Sequence, residues 1–298
     1  MTERKTGVVI KNYNGYYYVD SAGEAAPCKL RGRLKKERFS LLTGDRVVFT
    51  PPERPGGEGC IENILDRRNR LYKPAIANID QIAMVFSLKN PDFNQNIADR
   101  FLVAAEQLAI PIIICLSKAD LLTESDSTGR LVCLYGKIGY KVIKTSVVDN
   151  TGRQELQELL TGKTTVFSGL SGVGKSTLLN SFYPELALPT GAVSARNNKG
   201  RHTTRFSQLL PAGGGYVADT PGFSLAETAE FTEDALKRAF REFTVYQDNC
   251  RFAQCVHLNE PDCAVKAALA DGLINQARYD NYCALLLEIR TNAKRRFK

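Results

Sequence analysis

No stretch of this sequence is apolar for long enough to cross a bilayer. The longest runs, such as Ile110 to Leu116, fall far short of the ~20 residues a spanning helix needs. Met1-Thr2-Glu3-Arg4-Lys5 leads straight into a strand-like segment, without the apolar stretch of a signal peptide, so a cytoplasmic location with no membrane partner is expected. Histidine is scarce, with two residues in 298, which leaves few places for an imidazole site. Acidic side chains are in the minority. Forty Lys and Arg against 32 Asp and Glu give a net charge of +8, a balance suited to a polyanionic partner such as nucleic acid but also to plain solubility. The eight cysteines lack the even spread of a disulfide framework, and three crowd beside a histidine near the end, which argues for metal in a reducing compartment. Hydrophobic and charged fractions of 43% and 24% are those of an ordinary globular chain, long enough for two domains or more.

The stretch around which the rest is organised is Gly169-Leu170-Ser171-Gly172-Val173-Gly174-Lys175-Ser176, which fits the phosphate-loop pattern G-x-x-x-x-G-K-[ST]. Its surroundings suit the match: Thr164-Thr165-Val166-Phe167 reads as a buried strand, and Thr177 to Phe182 as the start of a helix. Glycines let successive N–H groups curl toward phosphate oxygens, and the helix adds its positive end, with Thr177 in the phosphate-facing set. Lys175 is expected to reach the β- and γ-phosphates, and the Ser176 hydroxyl to ligate Mg²⁺.

From about residue 75, strands and helices alternate, the signature of an α/β fold with a mostly parallel sheet. The continuous apolar strand Ile112 to Leu116 ends in Ser117-Lys118-Ala119-Asp120, which resembles the guanine-reading [NT]-K-x-D motif. Asp120 can accept from N1–H and the 2-amino group of guanine, which adenine lacks, while the Lys118 stem lies along the base. Charged hydrogen bonds are worth about 1.5–3 kcal/mol each, so GTP is favoured over ATP. Ser146, after the strand Tyr140 to Lys144, could give a backbone N–H to the guanine carbonyl. Beyond the phosphate loop, Gly200-Arg201-His202-Thr203-Thr204-Arg205 reads as a switch, with Thr204 ahead of Thr203 as the residue that completes the Mg²⁺ shell. Asp219-Thr220-Pro221-Gly222 reads as a second switch, with Asp219 holding Mg²⁺ through water and the Gly222 amide sensing the γ-phosphate. The base-reading motif precedes the phosphate loop, the reverse of the usual order, and a circular permutation accounts for that. Phe223 stands where a Ras-like enzyme places a water-orienting Gln, so slow intrinsic hydrolysis is expected. His202 is a candidate to position water and Arg201 or Arg205 to stabilise charge; each also suits a switch or RNA contact.

Residues 1–68 carry short β-type runs (Gly7 to Ile10, Tyr16 to Val19, Arg46 to Phe49, Cys60 to Leu65) separated by turn residues, the pattern of a small OB- or SH3-type barrel. Lys29, Arg31, Arg33, Lys35, Lys36 and Arg38 crowd one connection after the cluster Tyr16-Tyr17-Tyr18. In an OB barrel such a combination binds single-stranded or irregular RNA, although packed tyrosines and a solvated loop give the same pattern. Asp66 to Pro74 reads as the link to a GTPase domain over 69–228. Residues 229–298 contain Cys250-x4-Cys255-x-His257-x5-Cys263, a ligand set for one structural, tetrahedral Zn²⁺. Amphipathic helices are expected over Glu233 to Phe243 and Asn275 to Arg290. The basic tail Arg290 to Lys298 suits a frayed end or RNA contact equally. Cys115 and Cys283 read as core residues.

Barrel, permuted GTPase and Cys/His unit, in that order, resemble the RsgA (YjeQ/YloQ) family of ribosome-biogenesis GTPases over essentially the whole chain. The resemblance includes Asp99 to Ala105, the Gly200-Arg201-His202-Thr203-Thr204 switch, and Cys255-x-His257-x2-Glu260-Pro261-x-Cys263. It implies a GTP hydrolase that binds the small ribosomal subunit late in maturation and is activated by it, with the barrel on rRNA near the decoding region. The chain is expected to be a monomer that takes GTP or GDP with Mg²⁺. Ser117 departs from the family, where Asn or Thr is usual at the residue bracing the base loop against the phosphate loop; the departure bears on affinity more than on base identity. A P-loop ATPase or kinase, and a nucleotide-gated RNA-binding module with negligible turnover, remain as alternatives.

Overall fold

The computed structural model describes residues 3–32, 34, 41–72, 74–123, 129–190, 208–219 and 232–296. Five strands, β1 (Lys5–Tyr13), β2 (Tyr16–Ser21), β3 (Glu24–Leu30), β4 (Arg46–Thr50) and β5 (Gly59–Ile64), close an OB-type barrel in the order β1-β2-β3-β5-β4. Every pairing is antiparallel except β3 with β5. Side-chain alternation sends Val9, Val19, Cys28, Val47, Phe49 and Ile61 inward, where Leu34 and Leu41 join them. The expectation that Lys29 belongs to a connection is corrected: it lies in β3, opposite Cys60. Arg33, Lys35, Lys36 and Arg38 lie outside the described residues.

The link is a structured ribbon rather than a slack tether. Its strands β6 (Arg70–Tyr72) and β7 (Ala75–Ala77) pair with each other, and Ala77 N–H reaches back to Thr43 O at 2.8 Å. Gly44 has φ +90°, and a Cβ there would sit 2.1 Å from Ala77 O, so only glycine allows the barrel to lie this close. The Arg67 guanidinium clasps buried Asp45 at 2.5 and 2.6 Å, and Asn78 Nδ2 donates to Gly44 O at 2.9 Å.

The central domain then runs β8 (Gln81–Ser87), α1 (Gln95–Glu106), β9 (Ile112–Ser117), α2 (Gly129–Lys137), β10 (Lys141–Lys144), α3 (Arg153–Leu160), β11 (Thr164–Ser168), α4 (Lys175–Phe182), β12 (Leu210–Ala212) and β13 (Gly215–Asp219). The sheet order is β10-β9-β8-β11-β13-β12, parallel throughout except for the β12–β13 hairpin. All seven residues of β8 are buried, as a strand covered on both faces must be. Ile82, Met84 and Phe86 enter one core with Phe101 and Ile114; Ala83 and Val85 enter the other with Cys115, Leu178 and Phe182. Asn94 caps α1 by accepting from Ile97 N–H at 3.1 Å.

The C-terminal unit comprises α5 (Glu233–Ala239), α6 (Arg241–Thr244), α7 (Ala264–Ala270) and α8 (Gln276–Arg296). The helix expected over Glu233 to Phe243 is broken at Phe240, whose backbone leaves the helical region (φ −90°, ψ 85°) as its ring packs 5.3 Å from both Phe243 and Tyr282. The basic tail from Arg290, which suited a frayed end or RNA contact equally, continues α8 as far as Arg296, with Arg290 paired to Glu233 at 2.8 Å. The unit docks on α1 through a buried ionic knot. Arg278 donates to Asp99 at 2.6 Å and to Glu242 at 2.7 and 2.9 Å, while Tyr135 and Asn281 complete the shell of Asp99 at 2.7 and 2.6 Å. No helix among the described residues is long and apolar enough to cross a membrane.

Candidate nucleotide site and metal centre

Because β8, β9, β10, β11 and β13 are parallel, the segments that leave them all emerge at one edge of the sheet, where ligands of such sheets bind. Ser117 closes β9, Ser146 follows β10, Gly169 follows β11 and Asp219 closes β13. Residues far apart in sequence thus line one crevice.

The phosphate loop folds against β8. Gly169 lies at φ +153°, and a Cβ there would meet Val85 O at 2.2 Å, so the backbone hugs the neighbouring strand only without a side chain. Gly172 and Gly174, at φ +81° and +95°, supply the left-handed turns that curl the loop before α4 begins at Lys175. The largely buried Lys175 ammonium donates to Gly169 O and Leu170 O at 2.8 and 2.9 Å, poised inside the loop. Val173 is buried beneath it, whereas Ser171 and Thr177 are exposed and Ser176 is half-buried.

The base-reading segment is fastened to that loop. Ser117 Oγ donates to Val173 O at 2.6 Å and lies 3.3 Å from Phe86 O. The serine therefore makes the brace toward the phosphate loop itself. Lys118, in the left-handed region at φ 59°, sends its ammonium to Gly172 O at 2.8 Å and to Asn90 O. Asp120 is exposed on the short turn that follows. Ser146 N–H is engaged by Thr151 O at 3.1 Å, and Ser146 Oγ accepts from Val148 and Asp149 N–H at 3.1 and 3.4 Å. That N–H is therefore not directed at a ligand, and the expectation placed on Ser146 moves to its neighbour. Val147, one residue on, is 40% exposed, and its N–H has no backbone partner among the described residues. The sequence marked the turn but not which amide its own Oγ network leaves free.

Only the backbone of Asp219 is described; it pairs across from Phe167, two residues before Gly169. Arg201, His202, Thr203, Thr204, Arg205, Thr220, Pro221, Gly222 and Phe223 lie outside the described residues. Among described side chains the Mg²⁺ assignment therefore rests on Ser176, at the first turn of α4.

Cys250, Cys255, His257 and Cys263 bring one ligand atom each to within 4.8 Å of all the others. Cys250 Sγ lies 3.6 Å from His257 Nδ1 and 3.9 Å from Cys263 Sγ, and His257 Nδ1 lies 3.4 Å from Cys263 Sγ. Zinc–sulfur bonds of about 2.3 Å in a tetrahedron give sulfur–sulfur edges of about 3.8 Å, so the donor set fits Zn²⁺ in chemistry and in span. The peptide around it is fixed independently. Glu260 accepts from Val256, Leu258 and Asn259 N–H at 2.9, 2.8 and 3.1 Å, while Tyr279 and Tyr282 donate to His257 O and Val256 O at 2.6 and 2.9 Å. Burial pushes the Cys255 thiol up to about 12, and burial with Lys237 nearby lowers His257, which favours the neutral ligand form of the imidazole. An incoming cation must therefore displace thiol protons, so binding weakens as pH falls.

On the barrel, Lys11 Nζ lies 4.9 Å from the Tyr13 ring and 5.8 Å from that of Tyr18, and Lys29 lies 4.9 Å from Tyr16. Lys29 and Arg31 are ion-paired with Glu58 and Glu62, so their charge is partly spent within the barrel. Cys28 and Cys115 are buried core thiols, both pushed up to about 12 mainly by burial; Cys283 is half-buried beside the C-terminal core and Cys133 is exposed.

A phosphate loop and a base reader on one edge of a parallel sheet, in permuted order behind an OB-type barrel, define a circularly permuted P-loop GTPase. The comparisons specify which. Residues 64–229 match the family model for the RsgA GTPase, and residues 6–61 that for the RsgA N-terminal domain. The chain is 43% identical over 289 residues to the small ribosomal subunit biogenesis GTPase RsgA of Alkaliphilus metalliredigens, covering 97% of this chain and 99% of that one. It superposes on YjeQ from Thermotoga maritima with TM-score 0.84 and 37% identity, covering 96% of this chain and 99% of that one. For YloQ, a circularly permuted GTPase, the TM-score is 0.82 and the identity 36%, with 97% and 96% covered. The chain belongs to the RsgA GTPase family, and it is a GTP hydrolase.

Proposed function

We propose that this GTPase acts in biogenesis of the small ribosomal subunit, that the subunit stimulates its hydrolysis, and that switch movement is coupled to release. The observation that carries the nucleotide reading is the fastening of the two recognition segments, Ser117 Oγ to Val173 O and Lys118 Nζ to Gly172 O. Base and phosphate ends of one nucleotide are thereby held at a fixed separation.

In this reading Lys175 releases the Gly169 and Leu170 carbonyls to take the β- and γ-phosphates, and the loop amides from Gly169 to Thr177 cradle them. Asp120 reads the guanine edge, and Val147 N–H, in place of Ser146 N–H, meets the guanine carbonyl. Mg²⁺, when bound by Ser176, Thr204 and Asp219, supplies charge neutralisation at the β- and γ-oxygens. Hydrolysis by the isolated chain is slow because Phe223 can neither orient nor deprotonate water, and His202 is the candidate to position it once a partner completes the site. The barrel contacts ribosomal RNA through its cation–aromatic surface, and the Cys/His cluster holds a structural Zn²⁺. The alignment of almost the whole chain with a protein named for small-subunit biogenesis supports this assignment.

The test is phosphate release from GTP with and without purified small subunits. Stimulation of at least tenfold is expected, with ATP poorly used and Lys175→Ala inactive. Asp120→Asn is expected to shift preference toward XTP. Equal rates with and without subunits would remove the stimulated-GTPase reading, and equal use of ATP would remove the guanine reading.

A further inference from the structure

The barrel touches the central sheet a second time, at the hairpin of β12 and β13. Leu209 N–H donates to Ile10 O at 2.8 Å, Lys11 forms an antiparallel bridge to Gln208, and the Tyr216 hydroxyl donates to Asp20 Oδ2 at 2.5 Å. Ile10 and Leu209 are buried in the same core as Val166 of β11 and Ala218 of β13, with Tyr18 and Tyr216 packed against it. Asp20 is 5% exposed, and its Oδ1 has no partner among the described residues, so the Tyr216 hydroxyl is the donor the structure gives this carboxylate.

The position of this contact is what gives it consequence. Tyr216 lies across from Thr164 at the start of β11, and the ladder runs on to Phe167 opposite Asp219, two residues before the phosphate loop opens at Gly169. At about 3.3 Å per residue, the five residues from Thr164 to Gly169 put Tyr216 about 16 Å along the strand from the start of that loop. Toward the Asn14-Gly15 turn, on the same two strands, Lys11, itself bridged to Gln208, sits over Tyr13 and Tyr18. A single pair of barrel strands therefore joins a cation–aromatic surface to the strand beside the phosphate loop.

We propose that β1, β2 and β13 form one coupled element: nucleotide at the phosphate loop shifts the barrel hairpin, and RNA held on that hairpin biases the loop, with Asp20 and Tyr216 as positioning residues. The identity of the polyanion rests on the function proposed above; the coupling itself does not. Linkage requires RNA and nucleotide to change each other's affinity by the same factor, so the coupling is measurable in binding from either end; its effect on hydrolysis is a separate consequence of the same contact.

The first measurement is amide hydrogen exchange across Tyr16–Ser21 in the full-length protein, with GDP and with a non-hydrolysable GTP analogue. A nucleotide-dependent change is expected in the wild type. It should vanish in Tyr216→Phe and Asp20→Ala and return in Asp20→Asn, whose amide oxygen still accepts from the tyrosine. If the lone buried carboxylate unfolds Tyr216→Phe, the double variant Asp20→Asn/Tyr216→Phe removes the bond without stranding a charge. The second measurement is subunit-stimulated hydrolysis. Stimulated kcat is expected to fall at least about fivefold in the bond-less variants that remain folded, with KM for GTP held and kcat restored in Asp20→Asn. Exchange that is indifferent to nucleotide in the wild type, or that responds equally in the bond-less variants, overturns the coupling. A wild type whose barrel responds to nucleotide but whose hydrolysis ignores subunits keeps the coupling and overturns the functional reading instead.

Discussion

On the barrel side, the central domain is met largely by backbone groups and an amide, Ala77 N–H on Thr43 O, Asn78 on Gly44 O and Leu209 N–H on Ile10 O, and the charged groups there stand separately: Arg67 on Asp45, Arg68 on Asp80, and Asp20 under the Tyr216 hydroxyl. On the C-terminal side it is met by a knot of ions, in which Arg278 and Asp99 are 1% and 0% exposed and Glu242, Tyr135 and Asn281 fill the remaining valences. Backbone and amide bonds of that kind are each worth about 0.5–1.5 kcal/mol and can be remade after a small slide. Buried ions tolerate no slide, because either partner alone is left uncompensated. The difference teaches that the C-terminal joint hangs on one shared ionic knot, whereas the barrel joint is spread over separate backbone, amide and single-carboxylate contacts.

The comparison is broken most severely by removing the metal from the C-terminal unit. Chelation, or Cys263→Ser, is expected to remove on the order of 10 kcal/mol of folding free energy from that unit. Proteolysis of the chelated protein should then cut within residues 233–296 and spare the barrel, and metal content should fall with the cuts. Next in size is Arg278→Ala, which strands Asp99 and Glu242 and is expected to cost about 3–5 kcal/mol; thermal unfolding reads it. On the other side, Asn78→Ala leaves the Gly44 carbonyl and Arg68 N–H without their side-chain partner and is expected to cost about 1–3 kcal/mol. An Asn78→Ala loss equal to that of Arg278→Ala would erase the distinction between the joints. The smallest effect is a pH dependence at the rim. The Arg290 guanidinium holds Glu233 below its usual range. A depressed folded-state value stabilises above the unfolded value and loses that contribution as pH falls through the folded value. The pair is about a third exposed on each side, so less than about 1 kcal/mol is expected, absent in Arg290→Gln, by urea unfolding between pH 6 and pH 3.

The sequence announced its chemistry more clearly than its joints. The phosphate loop, the base reader and the Cys/His cluster are local patterns in which spacing itself states the geometry, and they fall on the strand ends and loops that their chemistry needs. The strand β3 was not legible because Glu24-Ala25-Ala26-Pro27 has poor strand propensity; Pro27 is accommodated because the parallel ladder with β5 starts only at Cys28. The breaking of the helix at Phe240 is set by aromatic packing with Tyr282, 42 residues on, which no periodicity reports. Arg278 reads as an ordinary helix-surface cation until Asp99 arrives from 179 residues away. Nor could the sequence tell that the Ser146 N–H is taken by Thr151 O while its Oγ holds the amides of Val148 and Asp149, since that is decided by how the turn closes.

The brace from Ser117 and the reach of Lys118 also bear on how a spent nucleotide leaves. Since the peptide proposed to grip the base is pinned to Val173 and Gly172, prying the β9 terminus outward would drag the phosphate loop with it. Eviction then needs one lever rather than two, and a factor pressing on the turn after Ser117 would empty both halves of the crevice in a single stroke.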